Sequence, residues 1–154
     1  MKAVAILYNL RSVYNTASCF RTADGVGLDK LYLVGTTPPP LDRFKIPRSD
    51  FAKVALGAEK TTPYQKTDDI KKLLLDLKKK NYLLIAIEQS PNSKDIFSFP
   101  KPKKNMALIF GPEVIGLPKD ILEQCDHILE IPMRGKKESL NIATAFGIAT
   151  YILK

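Results

Sequence analysis

Apolar runs of strand length alternate with segments of helical period along most of this chain. Lys2–Tyr8 is mostly apolar at both alternating sets of positions, as a central parallel strand buried on two faces requires. Asn15 is expected to cap a short helix ending near Gly25 or Gly27, and Lys30–Val34 reads as a second strand, broken by the Thr36–Pro40 cluster. Residues 41–66 carry little pattern beyond a short helix at Ser49–Leu56, closed by Gly57. From Asp68 to Lys80 the helix signal is plain. Ile70, Leu73, Leu74 and Leu77 recur at helical spacing, the lysines fall mostly on the other face, Thr67 caps the start, and Asp68 and Asp69 complement the dipole. Tyr82–Ile87 is the next strand, and Pro91–Asn105 is expected to be an exposed loop. Strand Met106–Phe110, short helix Pro118–Gln124, strand His127–Ile131 and terminal helix Leu140–Leu153 follow. No internal repeat interrupts this alternation. It predicts an α/β fold, a mostly parallel sheet with flanking helices, in one domain spanning residues 1–154.

Charge adds a hint about partners. The net charge is +8, from 24 basic and 16 acidic residues, which favours a polyanionic partner, with solubility as the other reading. Cys19 and Cys125 lie far apart with no metal-ligand spacing, so reduced thiols in a cytoplasmic protein are expected, with no zinc site and no disulfide. No membrane association is expected, since the longest uncharged stretch, Ile142–Leu153, is too short to cross a bilayer. The apolar run after Lys2 reads better as a buried strand than as a secretory leader.

In an open parallel sheet, ligands bind beyond the carboxyl ends of the strands. Two strand-end loops have unusual composition: Gly111–Gly116 after Met106–Phe110, and Pro132–Asn141 after His127–Ile131. Gly111 would let backbone approach a ligand closely, and Glu113 would set a carboxylate at the strand mouth; two ordinary turn-rich connections are the plainer alternative. Common nucleotide fingerprints fail. Gly111 and Gly116 have the first spacing of a phosphate-binding loop, but Leu117-Pro118 stands where Lys-Ser/Thr is needed, and Gly25-Val26-Gly27 precedes a strand instead of following one. His127 is the single histidine, which sets aside Ser-His-Asp hydrolysis. Asn15 and Arg21, six apart, need not share a helix face. Of three lysine clusters, only Arg134, Lys136 and Lys137 adjoin a candidate ligand loop, where they would hold substrate phosphates.

Three blocks together resemble the SpoU branch of the SPOUT RNA methyltransferases. They are Asn15-Thr16-Ala17-Ser18-Cys19-Phe20-Arg21-Thr22-Ala23; Leu108–Glu113 with Gly116-Leu117-Pro118; and Ile131-Pro132-Met133, a short basic insert, then Ser139-Leu140-Asn141-Ile142-Ala143. Their order and separations fit that family over essentially the whole chain. The second block is most similar to the smallest members, which include tRNA wobble-position ribose methyltransferases, whereas the third resembles the wider SpoU group. Ala17 and Tyr14 depart from the glycine and proline common in relatives.

The resemblance implies a C-terminal deep trefoil knot, a homodimer, and S-adenosylmethionine (SAM) as co-substrate, with no metal. It implies a cofactor site at Ile87, Gly111, Ile131, Met133, Ser139 and Leu140, and catalysis by Arg21 supported by Asn15, Glu113, Ser139 and Asn141. Arg21, Arg134, Lys136 and Lys137 would face RNA, either tRNA or rRNA, whose ribose 2′-hydroxyl accepts the methyl. Two other readings stay open: a basic RNA-binding module that keeps the fold without catalysis, and a base methyltransferase of a sister SPOUT group.

Overall fold

A computed structural model describes residues 1–154. Seven parallel strands form one sheet in the order β3-β2-β1-β6-β4-β7-β5. The strands are β1 (Ala3–Tyr8), β2 (Lys30–Val34), β3 (Tyr64–Thr67), β4 (Leu83–Ile87), β5 (Lys94–Asp95), β6 (Met106–Phe110) and β7 (His127–Glu130). The helices are α1 (Val13–Val26), α2 (Ser49–Ala55), α3 (Ala58–Thr61), α4 (Ile70–Lys79), α5 (Lys119–Leu122) and α6 (Ile142–Leu153).

Strand pleating explains why the central strands are apolar throughout. Ala3, Ala5 and Leu7 of β1 join Met106, Leu108 and Phe110 of β6 in the larger core, together with Phe20 of α1, Phe51 of α2 and Phe146 of α6. Val4, Ile6, Ala107 and Ile109 face the other way, onto Leu74 and Leu77 of α4 and Ile121 of α5. Phe20 meets Phe51 edge-on with centroids 5.1 Å apart, which docks α2 on α1. Phe110 and Phe146 are 4.9 Å apart, and this contact fixes α6 beneath the carboxyl end of β6.

Several local expectations need correction. The cap of α1 is Ser12, whose hydroxyl accepts from the Asn15 amide at 3.0 Å, so Asn15 lies inside the first turn with its side chain free for other work. The cap of α4 is Asp69, accepting from Lys72, while Thr67 ends β3. β3 itself was hidden in the weakly patterned stretch, because an edge strand with two exposed residues has no apolar run to show. Within Pro91–Asn105, β5 pairs with β7 and a single 3-10 turn, Ile96–Ser98, buries Ile96 completely, so the segment is an edge of the sheet and not only an exposed loop.

Candidate active site

Phe110–Phe146 packing carries the amino end of α6 to the loop that leaves β6, and a hydrogen-bond network closes around Glu113 there. Glu113 Oε1 accepts from Asn15 Nδ2 at 3.1 Å and from the Ile142 backbone N–H at 3.0 Å. Asn141 Nδ2 donates to Asn15 Oδ1 at 3.1 Å, while Asn141 Oδ1 caps α6 by accepting from the Ala143 N–H at 2.9 Å. A carboxylate at a helix amino end also meets a favourable dipole. Asn15 of the first sequence block thus bonds Glu113 of the second and Asn141 of the third, and Glu113 reaches the third block through the Ile142 N–H. Asn15 is buried to 7% exposure, so its amide is committed to this network.

On one side of the Pro112–Ile115 loop lies a cleft of about 400 Å³ over the carboxyl ends of β6, β4 and β7, a size suited to a small-molecule ligand. Ile87, Gly111, Ile131, Met133, Ser139 and Leu140, the six residues expected to bind a cofactor, all line it. Four carboxylates, Glu88, Glu113, Glu130 and Glu138, share the lining and no lysine, arginine or histidine does. They are spread around the rim, with no three converging as metal ligands. Such a wall attracts a cation and repels phosphate. SAM fits this lining: it is a nucleoside with no phosphate, and its sulfonium and ammonium outweigh its one carboxylate.

Glu88 and Gln89 were not anticipated, although a lone carboxylate directly after a wholly apolar strand is a readable signal. Glu88 accepts from Leu117 N–H at 2.9 Å and from Gln89 N–H at 3.0 Å, and Gln89 Nε2 donates to the Glu138 carbonyl at 2.7 Å. These bonds tie the Gly111–Pro118 and Pro132–Asn141 loops to the end of β4. Gly111 lines the cleft, but its lack of a side chain serves Leu117: a Cβ there would sit 2.8 Å from the leucine side chain. Gly116 has φ +67° and faces the Glu88 carboxylate. Gly116→Ala is expected to lower stability by about 1–2 kcal/mol, seen as a shifted denaturant midpoint at unchanged slope.

A second cleft, about 440 Å³, uses the same Pro112–Ile115 loop and Ile142 as one wall. Its other wall comes from Asn9–Ser12, Asn15 and Thr36, at the ends of β1 and β2. Asn15 and Glu113 therefore stand between two spaces. Val114 and Ile115, at the tip of the dividing loop, are 96% and 82% exposed.

Arg21 is not brought into this arrangement. It lies on the exposed face of α1, forms no ion pair and lines neither cleft. Arg134, Lys136 and Lys137 are exposed on the loop that runs into Glu138 and Ser139 of the first cleft. His127 is half-buried against the Phe99 ring, 4.8 Å away. Both cysteines are free, and burial pushes the Cys19 thiol far up and that of Cys125 up to about 11, so neither is poised as a nucleophile.

Comparison with known proteins supplies names for this arrangement. The profile of the SpoU rRNA Methylase family matches residues 2–151. The 23S rRNA (guanosine-2'-O-)-methyltransferase RlmB of Bordetella pertussis is 27% identical over 146 residues, covering 95% of this chain and 56% of that protein. The chain thus spans about half the length of the curated relatives it matches. An AdoMet-bound rRNA methyltransferase from Sinorhizobium meliloti superposes with a TM-score of 0.85 at 24% identity, covering 99% of this chain and 55% of that one. A structure described as giving insights into the 2-OH methylation of C/U34 on tRNA matches at 25% identity and a TM-score of 0.80, covering 97% of this chain and 92% of that one.

Proposed function

The chain belongs to the SpoU rRNA methylase family, and from that premise we propose that it transfers a methyl group from SAM to a ribose 2′-hydroxyl of RNA, as one catalytic domain spanning residues 1–154. The Asn15–Glu113–Asn141 network at the junction of the two clefts is the observation that carries this reading. When bound in the carboxylate-lined cleft, SAM supplies an electrophilic methyl on a sulfonium. Ile87, Ile131 and Leu140 exclude water from it, and the backbone of the Gly111 and Ser139 loops orients the nucleoside. The second cleft takes the target nucleotide. Asn15 and Glu113 then hold the ribose in line with the methyl across their shared wall, which is where positioning contributes most to rate.

Arg21 completes the site from a second copy of the chain, since in its own copy it faces outward. A guanidinium is a pure hydrogen-bond donor. It grips a substrate phosphate and stabilises the developing alkoxide, while a phosphate oxygen or water takes the proton. Arg134, Lys136 and Lys137 add phosphate contacts beside the first cleft. We further propose that β4 to α6 are threaded as the trefoil knot of the family, a path supported by the interleaved order β6-β4-β7-β5, and that the enzyme works in the cytoplasm. The RNA is 23S rRNA for the RlmB relative and tRNA for the C/U34 neighbour, so both classes are substrates to test.

Incubation with labelled SAM and separated tRNA and rRNA fractions from cells lacking the protein tests the reading. Label in a 2′-O-methyl nucleoside after digestion is the expected result. Label in a methylated base points instead to a sister activity, and no label in either fraction to an RNA-binding module.

A further inference from the structure

The chain between β2 and α2 forms a compact hairpin that none of the family blocks includes. Leu41 and Pro47 pair across its base as an antiparallel bridge. Asp42 organises the turn: its N–H donates to the Ile46 carbonyl at 2.9 Å, and its Oδ1 accepts from the Phe44 and Ile46 amides at 2.8 and 3.0 Å. Lys45 closes the turn at φ +60°. Every one of these bonds is local, so the conformation is held without help from the core. What the turn displays is unusual for a loop. Phe44 is 68% exposed and Ile46 58% exposed, with the Arg43 guanidinium 4.8 Å from the Phe44 ring centroid. Arg43 and Lys45 are free of ion pairs, whereas Arg48 is held by Asp50.

The hairpin also has a fixed place. Thr37 is fully buried, its hydroxyl accepting from Leu10 N–H at 3.1 Å and lying 2.8 Å from the Leu7 carbonyl. Thr36 N–H donates to Asn9 Oδ1 at 3.0 Å, and Arg48 N–H to the Pro40 carbonyl at 2.9 Å. Three consecutive prolines, Pro38–Pro40, stiffen the link between these anchors and the turn. Thr36, at the root of this link, lines the second cleft with Asn15 and Glu113. The finger therefore rises from the same carboxyl ends of β1 and β2 that border the proposed target-nucleotide cleft.

We propose that Phe44 is a stacking platform for an unpaired nucleotide flanking the methylated one, with Arg43 and Lys45 taking neighbouring phosphates. The proposal rests on the RNA-methyltransferase reading. A rigid ring flanked by free cations matches single-stranded RNA, which offers a π-face beside a charged backbone at every residue. A second copy fits poorly, because a two-fold contact through this tip would bring the Arg43 and Lys45 cations of both copies together.

The chain has no tryptophan, so Phe44→Trp places its single tryptophan at the tip, excited apart from the six tyrosines at about 295 nm. Oligoadenylate is expected to quench its emission, and a blunt RNA duplex to leave it nearly unchanged. With the RNA fraction the wild type methylates, Phe44→Ala is expected to raise KM for RNA about tenfold, with kcat and SAM affinity held. Phe44→Leu, which keeps apolar surface but loses the π-face, is expected to recover little of that loss. Unquenched emission with an unchanged KM overturns the proposal, and so does a fall in oligomeric state for Phe44→Ala in sedimentation, which marks the tip as a self-interface. A wild type that methylates no RNA counts against the function reading alone, and the fluorescence titration still decides the hairpin.

Discussion

Arg21→Ala is expected to retain SAM binding and to lose RNA methylation by about 100-fold or more, the scale seen when one donor to a developing oxyanion is removed. The separation of the two effects follows from position. α1 buries Asn15 in the Glu113 network, while Arg21, about one and two-thirds turns further on, emerges on the opposite, exposed side. Removing its guanidinium leaves both clefts of its own chain untouched. Single-turnover methylation with calorimetric SAM titration on the same preparation checks both halves. Mixing Arg21→Ala with Glu113→Ala chains is expected to restore activity that neither has alone, because under the proposed action across subunits a hybrid dimer would contain one site with both residues intact. A wild-type rate for Arg21→Ala contradicts the role, and failure of the mixture to recover contradicts its action across subunits.

Glu113→Ala is expected to be the second severe change, and it acts through structure as well as chemistry. One carboxylate oxygen accepts from both Asn15 and the first amide of α6. Its loss leaves the part-buried Asn15 amide and Ile142 N–H without this acceptor, at a cost of about 1–3 kcal/mol in folding stability. The network proposed to hold the ribose beside the methyl loosens with it, and misplacement of about 1 Å near a reacting centre costs about 100-fold in rate. Glu113→Gln separates these effects. Its amide oxygen still accepts, so the denaturant midpoint is expected to return most of the way, while methylation stays depressed by loss of the charge. Equal recovery of both would assign Glu113 a purely structural role.

The central strands were legible because burial on both faces writes itself as continuous apolar sequence: β1, β4 and β6 are found where Lys2–Tyr8, Tyr82–Ile87 and Met106–Phe110 predict them. β3 and β5 were not, since edge strands of four and two residues carry exposed positions and are defined by partners distant in sequence. The cap of α1 was misread by three residues, and the error hid chemistry. With Ser12 satisfying the helix end, Asn15 is released to join Glu113 and Asn141.

The cofactor residues implied by family resemblance all reach one cleft, yet its acid character was not foreseen. Glu88 and Glu130 belong to strand ends outside the motif blocks, and only the sheet order brings β4 and β7 beside β6. The Leu41–Pro47 hairpin was equally silent, because a turn built from one aspartate and local backbone bonds has no periodicity to detect.

Calorimetric titration of SAM into the full chain without RNA tests the assignment of the carboxylate-lined cleft most directly. Saturable binding of one molecule per chain is predicted, lost in Leu140→Arg, which drives a basic side chain into that wall, and not displaced by ATP. Absence of binding heat across the titration, or ATP competing as well as SAM does, would contradict it.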